Sequence, residues 1–509
     1  MRTSNSAKNL VASISISTVS ILLGFITRKI FVDEVGVEYL GLNGLLGNIL
    51  GVMTLLEGGF AASVVYNLYK PIADDDRPAI LALLQLYKKV YRYIAIGVAA
   101  FGVSLYPFLK YFIADISQLQ YVGIVYAIFL FNSLVQYFTA YKWSLINVSQ
   151  KNYKLAGINM VYQVGLSVAK ILVLYYTKNY IMYLMVESIF GICLNVAIVR
   201  KANRLFPYIV NAPKYVVAAD VKKKIVTNMK ALFLHSLGGY FMHSTDNIVI
   251  SAYIGVGIVG LYSNYTLLIT TIRSFTSQIL SSFSESVGNL IASESSDYAY
   301  NIFKTIFFVN FVCISVPIVI ISTTIQPFIA FWLGEKYLLS TATLCIILVN
   351  FYLDGMRSSA YTFKVKSGIF TQDKFTPLMQ GIINLCLSIL FVRWWGLAGV
   401  LAATAISIMS IAFWQWPRLI YKYTFHRSVW PYFRRYAAYT AVFGVALGLS
   451  LLICSFVHVG PHLLQAVCNG VISLLVTCAL YFVVFRWTEE FRSLRAHAAM
   501  LHIPFLHRG

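Results

Sequence analysis

Fourteen apolar runs follow one another along this chain, most of them long enough to cross a bilayer. A spanning helix needs about 20 such residues. The runs lie at roughly 10–32, 39–68, 90–113, 119–141, 155–177, 180–200, 226–253, 258–290, 301–333, 340–363, 377–395, 397–421, 435–457 and 463–486 (spans 1 to 14). A backbone inside hydrocarbon must satisfy its own hydrogen bonds, and apolar segments of this length do so as helices. The predicted fold class is therefore an all-α polytopic membrane protein with about 14 transmembrane helices. Only 12% of the 509 residues are charged, and the mean hydropathy is +0.73. A soluble protein carries about 25% charged residues. The first run is too long for a signal-peptide core and lacks a small-residue cleavage site, so it is expected to stay as a helix.

The formal charge of +21 would suggest nucleic acid in a soluble protein. Here its distribution gives another reason. Alternate connections carry Lys70, Arg77, Lys88 and Lys89, then Lys142, Lys151 and Lys154, then Arg200 to Lys230, then Lys364, Lys366 and Lys374, then Arg418 to Arg435. About 31 of the 40 Lys and Arg lie on that side with both termini, about 6 on the other and about 3 within spans. The positive-inside rule then predicts N-in and C-in, with short external loops and no nucleic-acid partner. The seven cysteines lie in apolar runs without a C-x-x-C pair, so no metal or disulfide framework is expected. His497, His502 and His507 in the tail match no usual metal-ligand spacing.

A repeat organises the spans. Gly36-Val37-Glu38-Tyr39-Leu40-Gly41-Leu42 returns as Gly255-Val256-Gly257-Ile258-Val259-Gly260-Leu261, offset by 219. Pro107-Phe108 returns as Pro327-Phe328, Asn132 as Asn350, and Ala140-Tyr141 as Ala360-Tyr361, at offsets of 218 to 220. Each match is weak alone, but the offset is constant over four segments. Six spans per repeat keep the orientation, which predicts two parallel six-helix lobes with a site between them. The lobes are expected at 1–204 and 226–423, joined by a basic linker at 205–225. Residues 424–509 add two helices and a tail. Trp394–Gly399 reads as a hairpin between spans 11 and 12. Pro317 and Pro327 are expected kink sites in the long span 9.

Charges inside a membrane cost roughly 2.5–3.5 kcal/mol each on insertion scales, so each one is a candidate for function. Span 1 carries Ser13, Ser17, Ser20, Gly24 and Arg28 on one face. Arg28 lies about 27 Å along that helix, where it either snorkels to the interface or lines the interior. Lys29 reads as a plain flank. Arg273 sits mid-span with Thr266, Thr270, Ser277, Ser281 and Ser284 on its face, as a cavity-lining cation or half of a buried pair. Span 5 aligns Asn159, Gln163, Ser167 and Lys170. Lys170 and Glu187 are nearly equidistant from the turn at Lys178-Asn179, so antiparallel packing predicts an ion pair between them. In span 7 His235, Gly239, His243 and Asp246 share a face, as a protonatable cluster or as interhelical hydrogen bonds. Asp354 and Arg357 are three apart and can pair on one helix. Glu57 precedes Gly58-Gly59, where span 2 can bend. Together these seams suit an amphiphile with an anionic, hydrophilic head whose lipid tail stays in the bilayer.

Thr27-Arg28-Lys29-Ile30-Phe31-Val32, the Gly36-to-Leu45 stretch and Asp246-Asn247-Ile248-Val249-Ile250-Ser251 with Gly255 resemble bacterial polysaccharide-biosynthesis membrane proteins. These are the Wzx-type O-antigen and capsule flippases of the multidrug/oligosaccharidyl-lipid/polysaccharide (MOP) exporter superfamily, with a MATE-like architecture. The resemblance implies export of undecaprenyl-diphosphate-linked oligosaccharides to the periplasmic leaflet of the inner membrane by alternating access. It implies a lipid-linked oligosaccharide substrate, surrounding membrane lipids, H+ or Na+ as coupling ion, polysaccharide polymerases as partners and no cofactor. By similarity to the related lipid II flippases, Arg28 is a candidate for diphosphate contact and Glu57 for gating. Lys29 stands where those flippases have an acid. Arg273 and Lys170 join Arg28 as substrate-binding candidates. Glu187, His243, Asp246, Asp354 and Arg357 join Glu57 as gating or ion-coupling candidates, with His243 and Asp246 the protonatable ones.

Two other function classes remain. A MATE-type drug/cation antiporter would prefer an acidic, aromatic-lined pocket, which the seam cations disfavour. An enzyme, either an O-antigen polymerase or a membrane glycosyltransferase, would need external loops bearing acidic or arginine residues, and the external loops here are short. The acidic run Asp74-Asp75-Asp76 falls on the basic side and reads as a solvated loop.

Overall fold

The computed structural model of the protein describes residues 19–57, 59–369 and 372–500. Every regular element among them is a helix, and they follow the order of the fourteen predicted spans. Seven helices are long and apolar enough to cross a membrane, or eight counting Val122–Phe138 with Ala140–Val148, which meet at a 50° bend. Span 8 is one helix, Val256–Ser293, and three other spans are divided into shorter helices. Span 2 divides into Val37–Gly51, Met53–Leu56 and Phe60–Ala73, span 7 into Ala219–His243 and Thr245–Tyr253, and span 10 into Thr341–Met356 and Ser358–Lys366. Spans 11 and 12 form one helical run, Thr376–Ser410, interrupted at Gly396 (φ 54°, ψ −132°), inside the predicted hairpin. The chain is a multi-pass, all-α membrane protein.

Polar side chains in the loops set several helix starts. Asp76 accepts a hydrogen bond from the Ala79 amide at 3.1 Å and caps Arg77–Leu105, with Pro78 in its first turn. The predicted solvated loop is thus also a helix cap. Asn179 caps Tyr180–Leu205 through the Met182 amide, and Ser295 caps Ser296–Trp332 through the Tyr298 amide. Pro317 and Pro327 both lie inside that last helix.

The chain forms two compact units, residues 1–260 and 261–509. The division falls later than the 205–225 linker because span 7 packs into unit 1. Ser63 Oγ donates to the Ile225 carbonyl at 3.2 Å, and the Tyr240 hydroxyl to the Asn48 carbonyl at 2.7 Å. In the same unit the repeated motif meets its own copy. A Cβ on Gly41 would overlap the Val256 carbonyl, and one on Gly260 would overlap the Val37 carbonyl. Val37 and Val256, like Gly41 and Gly260, are 219 apart, so the contact is reciprocal. Only glycine lets two helix backbones approach this closely. This supplies a packing reason for those repeated glycines.

In unit 2, Ser296–Trp332 is apolar on most sides and is buried accordingly. Spans 13 and 14 lie against it. Tyr439 stacks on Phe311 with ring centroids 4.7 Å apart, and Asn469 Nδ2 donates to the Thr323 carbonyl at 2.9 Å. The tail forms a further helix, Glu489–Met500. Two ion pairs tie it down: Glu489 with Lys304 at 3.1 Å, and Glu490 with Arg435 at 3.2 Å. The hydrogen bond and charge of Lys304 hold the Glu489 carboxyl below the usual range. The side chains of His497, His502 and His507 lie outside the described residues.

Candidate functional site

Unit 2 gathers charge where span 10 breaks. Asn310 Nδ2 donates to the carbonyls of Gly355 and Met356 at 3.1 Å each, satisfying groups the interrupted helix leaves open. Arg357 follows at the helix C-terminus, where a cation complements the carbonyl ends. Its Nε donates to Asp354 Oδ1 at 2.9 Å, its guanidinium lies 5.0 Å from the Trp416 ring centre, and Nη1 reaches Gln380 at 3.4 Å. The other oxygen of Asp354 accepts from Arg273 Nη2. One carboxylate therefore serves two guanidinium groups. The side chain of Arg357 is buried and that of Asp354 is 11% exposed, whereas that of Arg273 is 47% exposed. The predicted Asp354–Arg357 pair forms, and sequence spacing missed its second arginine, 81 residues away. The side chains of Ser281 and Ser284 on the Arg273 face lie outside the described residues.

Unit 1 joins two of the predicted seams. Ser20 Oγ donates to Gln163 Oε1 at 2.9 Å, so the face of span 1 meets the face of span 5. Ser13 and Ser17 lie outside the described residues. Lys170 Nζ lies 2.8 Å from Glu187, as the hairpin count predicts, and 4.4 Å from the Tyr183 ring centre. Arg28 lies close enough to Tyr183 to interact electrostatically with it. Here the cation Lys170 is 13% exposed and the carboxylate Glu187 is 43% exposed. Lys29 pairs with Asp33 one turn on at 3.1 Å, both on the surface. At the hairpin tip, Lys178 reaches Glu34 at 2.8 Å, and that hydrogen bond and charge hold its ammonium above the usual range.

A third arrangement surrounds Glu57. Span 2 unwinds there, with Gly59 in the left-handed region (φ 71°), and the Phe60 amide donates to the Glu57 carbonyl at 2.7 Å. A cavity of about 420 Å³ opens beside the break, lined by Gly51, Leu55, Glu57, Ser236, Tyr240 and Ser244 among others. The Tyr91 hydroxyl donates to Glu57 Oε2 at 2.9 Å, and Tyr91 packs edge-on against Tyr87 and Tyr137. Broken helices of this kind line polar cavities in membrane transporters. Asp246 stands in the first turn of Thr245–Tyr253, just beyond the break in span 7. Gly239 and the side chains of His235 and His243 lie outside the described residues.

Two further groups depart from the expectation. Lys364, read as a basic loop residue, is buried and paired with buried Asp373. Its ammonium lies 5.3 Å from the ring centres of both Tyr361 and Trp416. Trp416 thus stacks under two cations, Arg357 and Lys364. No spacing rule in the sequence pointed to it.

No family model matches the sequence, and no curated protein matches it. Solved structures do. The lipid II flippase MurJ, in an inward closed conformation, is 15% identical, with 94% of this chain and 99% of that chain covered and a TM-score of 0.69. An inward-facing multidrug resistance MATE family transporter of the MOP superfamily is 13% identical over 80% of this chain and 97% of that chain, with a TM-score of 0.55. The MATE multidrug transporter DinF-BH is 15% identical over 82% of this chain and 97% of that chain, with a TM-score of 0.55. At these identities the likeness establishes the fold: the chain has the architecture shared by MurJ and the MATE transporters.

Proposed function

We propose that this chain is a flippase. It moves undecaprenyl-diphosphate-linked oligosaccharide units from the cytoplasmic to the periplasmic leaflet of a bacterial inner membrane by alternating access, for O-antigen or capsule assembly. It does no covalent chemistry and works beside polysaccharide polymerases. The observation that carries this reading is Arg273. It is half-exposed in mid-span, and its carboxylate partner is already engaged by Arg357. A guanidinium in that position needs wet surroundings and has donors left for an anion. A diphosphate would accept charge-assisted, bidentate hydrogen bonds from it. MurJ, which shares the fold, is named for flipping a lipid-linked substrate.

In this reading Arg273 contacts the diphosphate, and Arg28 is a separate candidate contact within unit 1. Lys170 is held by Glu187 and orders its own helices. Arg357 fixes Asp354, which in turn aims Arg273. Glu57, Asp246 and His243 couple an H+ or Na+ gradient or gate the path. Both termini face the cytoplasm. The test is rescue of a flippase-deficient strain by wild type, Arg28→Glu and Arg273→Glu at matched membrane levels. The expected result is export by wild type and loss with Arg273→Glu. Normal export by both reversals would overturn the reading.

One observation favours a second reading, a drug/cation antiporter. Glu57, with Tyr91 and Tyr240 nearby, forms an acidic, aromatic-lined cavity that an organic cation could enter. Resistance to cationic drugs on expression, abolished by Glu57→Gln, would establish it.

A further inference from the structure

Loop cations in the two units meet carboxylates or aromatic rings. In unit 2 several meet carboxylates: Lys304 with Glu489, Arg427 with Asp297, Arg435 with Glu490 and Lys364 with Asp373. In unit 1 several lie over aromatic rings instead, among them Lys88, Lys142 and Lys151. Lys88 Nζ and Lys142 Nζ both approach the Tyr141 ring, at 5.7 and 5.8 Å from its centre. Arg92, one helical turn beyond Lys88, lies close enough to interact with Tyr141 electrostatically, and Lys88 and Lys142 repel one another. None of the three pairs with a carboxylate among the described residues. Lys142 is nonetheless fixed in place, donating to Asn203 Oδ1 at 2.8 Å.

Two mutually repelling lysines share one phenol ring with an arginine near it, and an attraction to the ring face does not cancel their charge. The position adds a second constraint. Lys88 and Arg92 stand where span 3 begins, and Lys142 where span 4 ends, so all three lie at one membrane boundary. Phe138 and Trp143, on either side of Tyr141, are exposed at 59% and 46%, which suits the interfacial aromatic belt of a bilayer. We propose that Lys88, Arg92, Lys142 and the Tyr141 hydroxyl form a docking site for the headgroup phosphate of an anionic glycerophospholipid. Two ammonium groups and a guanidinium supply the charge, and the phenol supplies a neutral donor. In the orientation proposed above, this lipid belongs to the cytoplasmic leaflet. The site does not depend on what the protein transports.

The test uses the full-length protein in nanodiscs containing equal amounts of phosphatidylglycerol and phosphatidylcholine. Lipids retained after release into the gas phase are counted by native mass spectrometry. Wild type is expected to retain phosphatidylglycerol preferentially. Lys88→Gln/Arg92→Gln/Lys142→Gln should lower that preference roughly tenfold, since each basic residue near an anionic surface contributes about a fivefold factor at most. Lys374→Gln/Arg418→Gln/Lys422→Gln, which removes exposed cations elsewhere, should leave the preference unchanged. Should the triple variant not fold, Lys88→Gln alone, at an exposed and unpaired position, should still lower retention several-fold. Equal loss in both triple variants, or none in either, would overturn the site. Displacement of phosphatidylglycerol from wild type by undecaprenyl phosphate or by inorganic phosphate at equal concentration would also overturn the assignment, by showing the occupant to be the polyprenyl carrier or a free anion.

Discussion

Each unit holds a cation and a carboxylate together at membrane depth, and the exposed partner differs. In unit 1 the carboxylate of Glu187 is 43% exposed and the ammonium of Lys170 is 13% exposed. In unit 2 the guanidinium of Arg273 is 47% exposed, and Asp354 is 11% exposed and also paired with a second arginine. The first pair is balanced and presents its acid. The second has an extra positive charge and presents a cation. An anionic headgroup would therefore find its counter-charge at Arg273, and Lys170 would serve packing. Two cation–carboxylate contacts thus present opposite charges, because burial decides which partner is left exposed.

The comparison breaks most easily at Asp354. Its removal takes the carboxylate from buried Arg357, so Asp354→Asn should destabilise the protein by about 3–5 kcal/mol, read as a lowered melting temperature in detergent. Glu187→Gln should cost less, about 2 kcal/mol, because Glu187 is 43% exposed and its pair with Lys170 is partly screened by solvent. If the two substitutions cost the same, the supposed difference between the pairs is wrong. Arg273→Gln should cost under about 1 kcal/mol, since Arg357 still holds Asp354 and an exposed pair contributes little. That variant sharpens the account: a stable protein without export separates Arg273 from the fold. The smallest effects lie outside the membrane. The depressed carboxyl of Glu489 gives unit 2 a contribution present above the ordinary glutamate value of about 4.3 and lost as pH falls through the lower folded value. The raised ammonium of Lys178 gives unit 1 one that is present below about 10.4 and lost as pH rises through the folded value. Glu489→Gln should therefore flatten only the acid limb of a stability–pH curve, and Lys178→Gln only the alkaline limb.

Span order was legible in the sequence because hydrocarbon imposes length and apolarity on every crossing. The Lys170–Glu187 pair was legible because a short hairpin fixes depth by counting. Arg273 was recognisable as a mid-span cation, but its contact with Asp354 joins helices far apart in sequence, and no local period reports that. Lys364 was misread for a related reason: its loop folds back to supply Asp373 as a buried partner. The repeated glycines were visible as a pattern, and their steric reason emerged only where Gly41 and Gly260 meet each other's helix backbone. Tyr91 carried no sequence signal at all, since an aromatic residue in an apolar run is ordinary until its hydroxyl is found on Glu57.

The most direct measurement is translocation of a diphosphate-linked oligosaccharide lipid across vesicles containing purified protein. It should compare wild type, Arg273→Glu and the double variant Lys170→Gln/Glu187→Gln. The account predicts translocation by wild type and by the double variant, and more than a tenfold loss for Arg273→Glu, about 1.4 kcal/mol or more in the rate-limiting barrier. Unimpaired translocation by Arg273→Glu, with loss confined to the double variant, would contradict it.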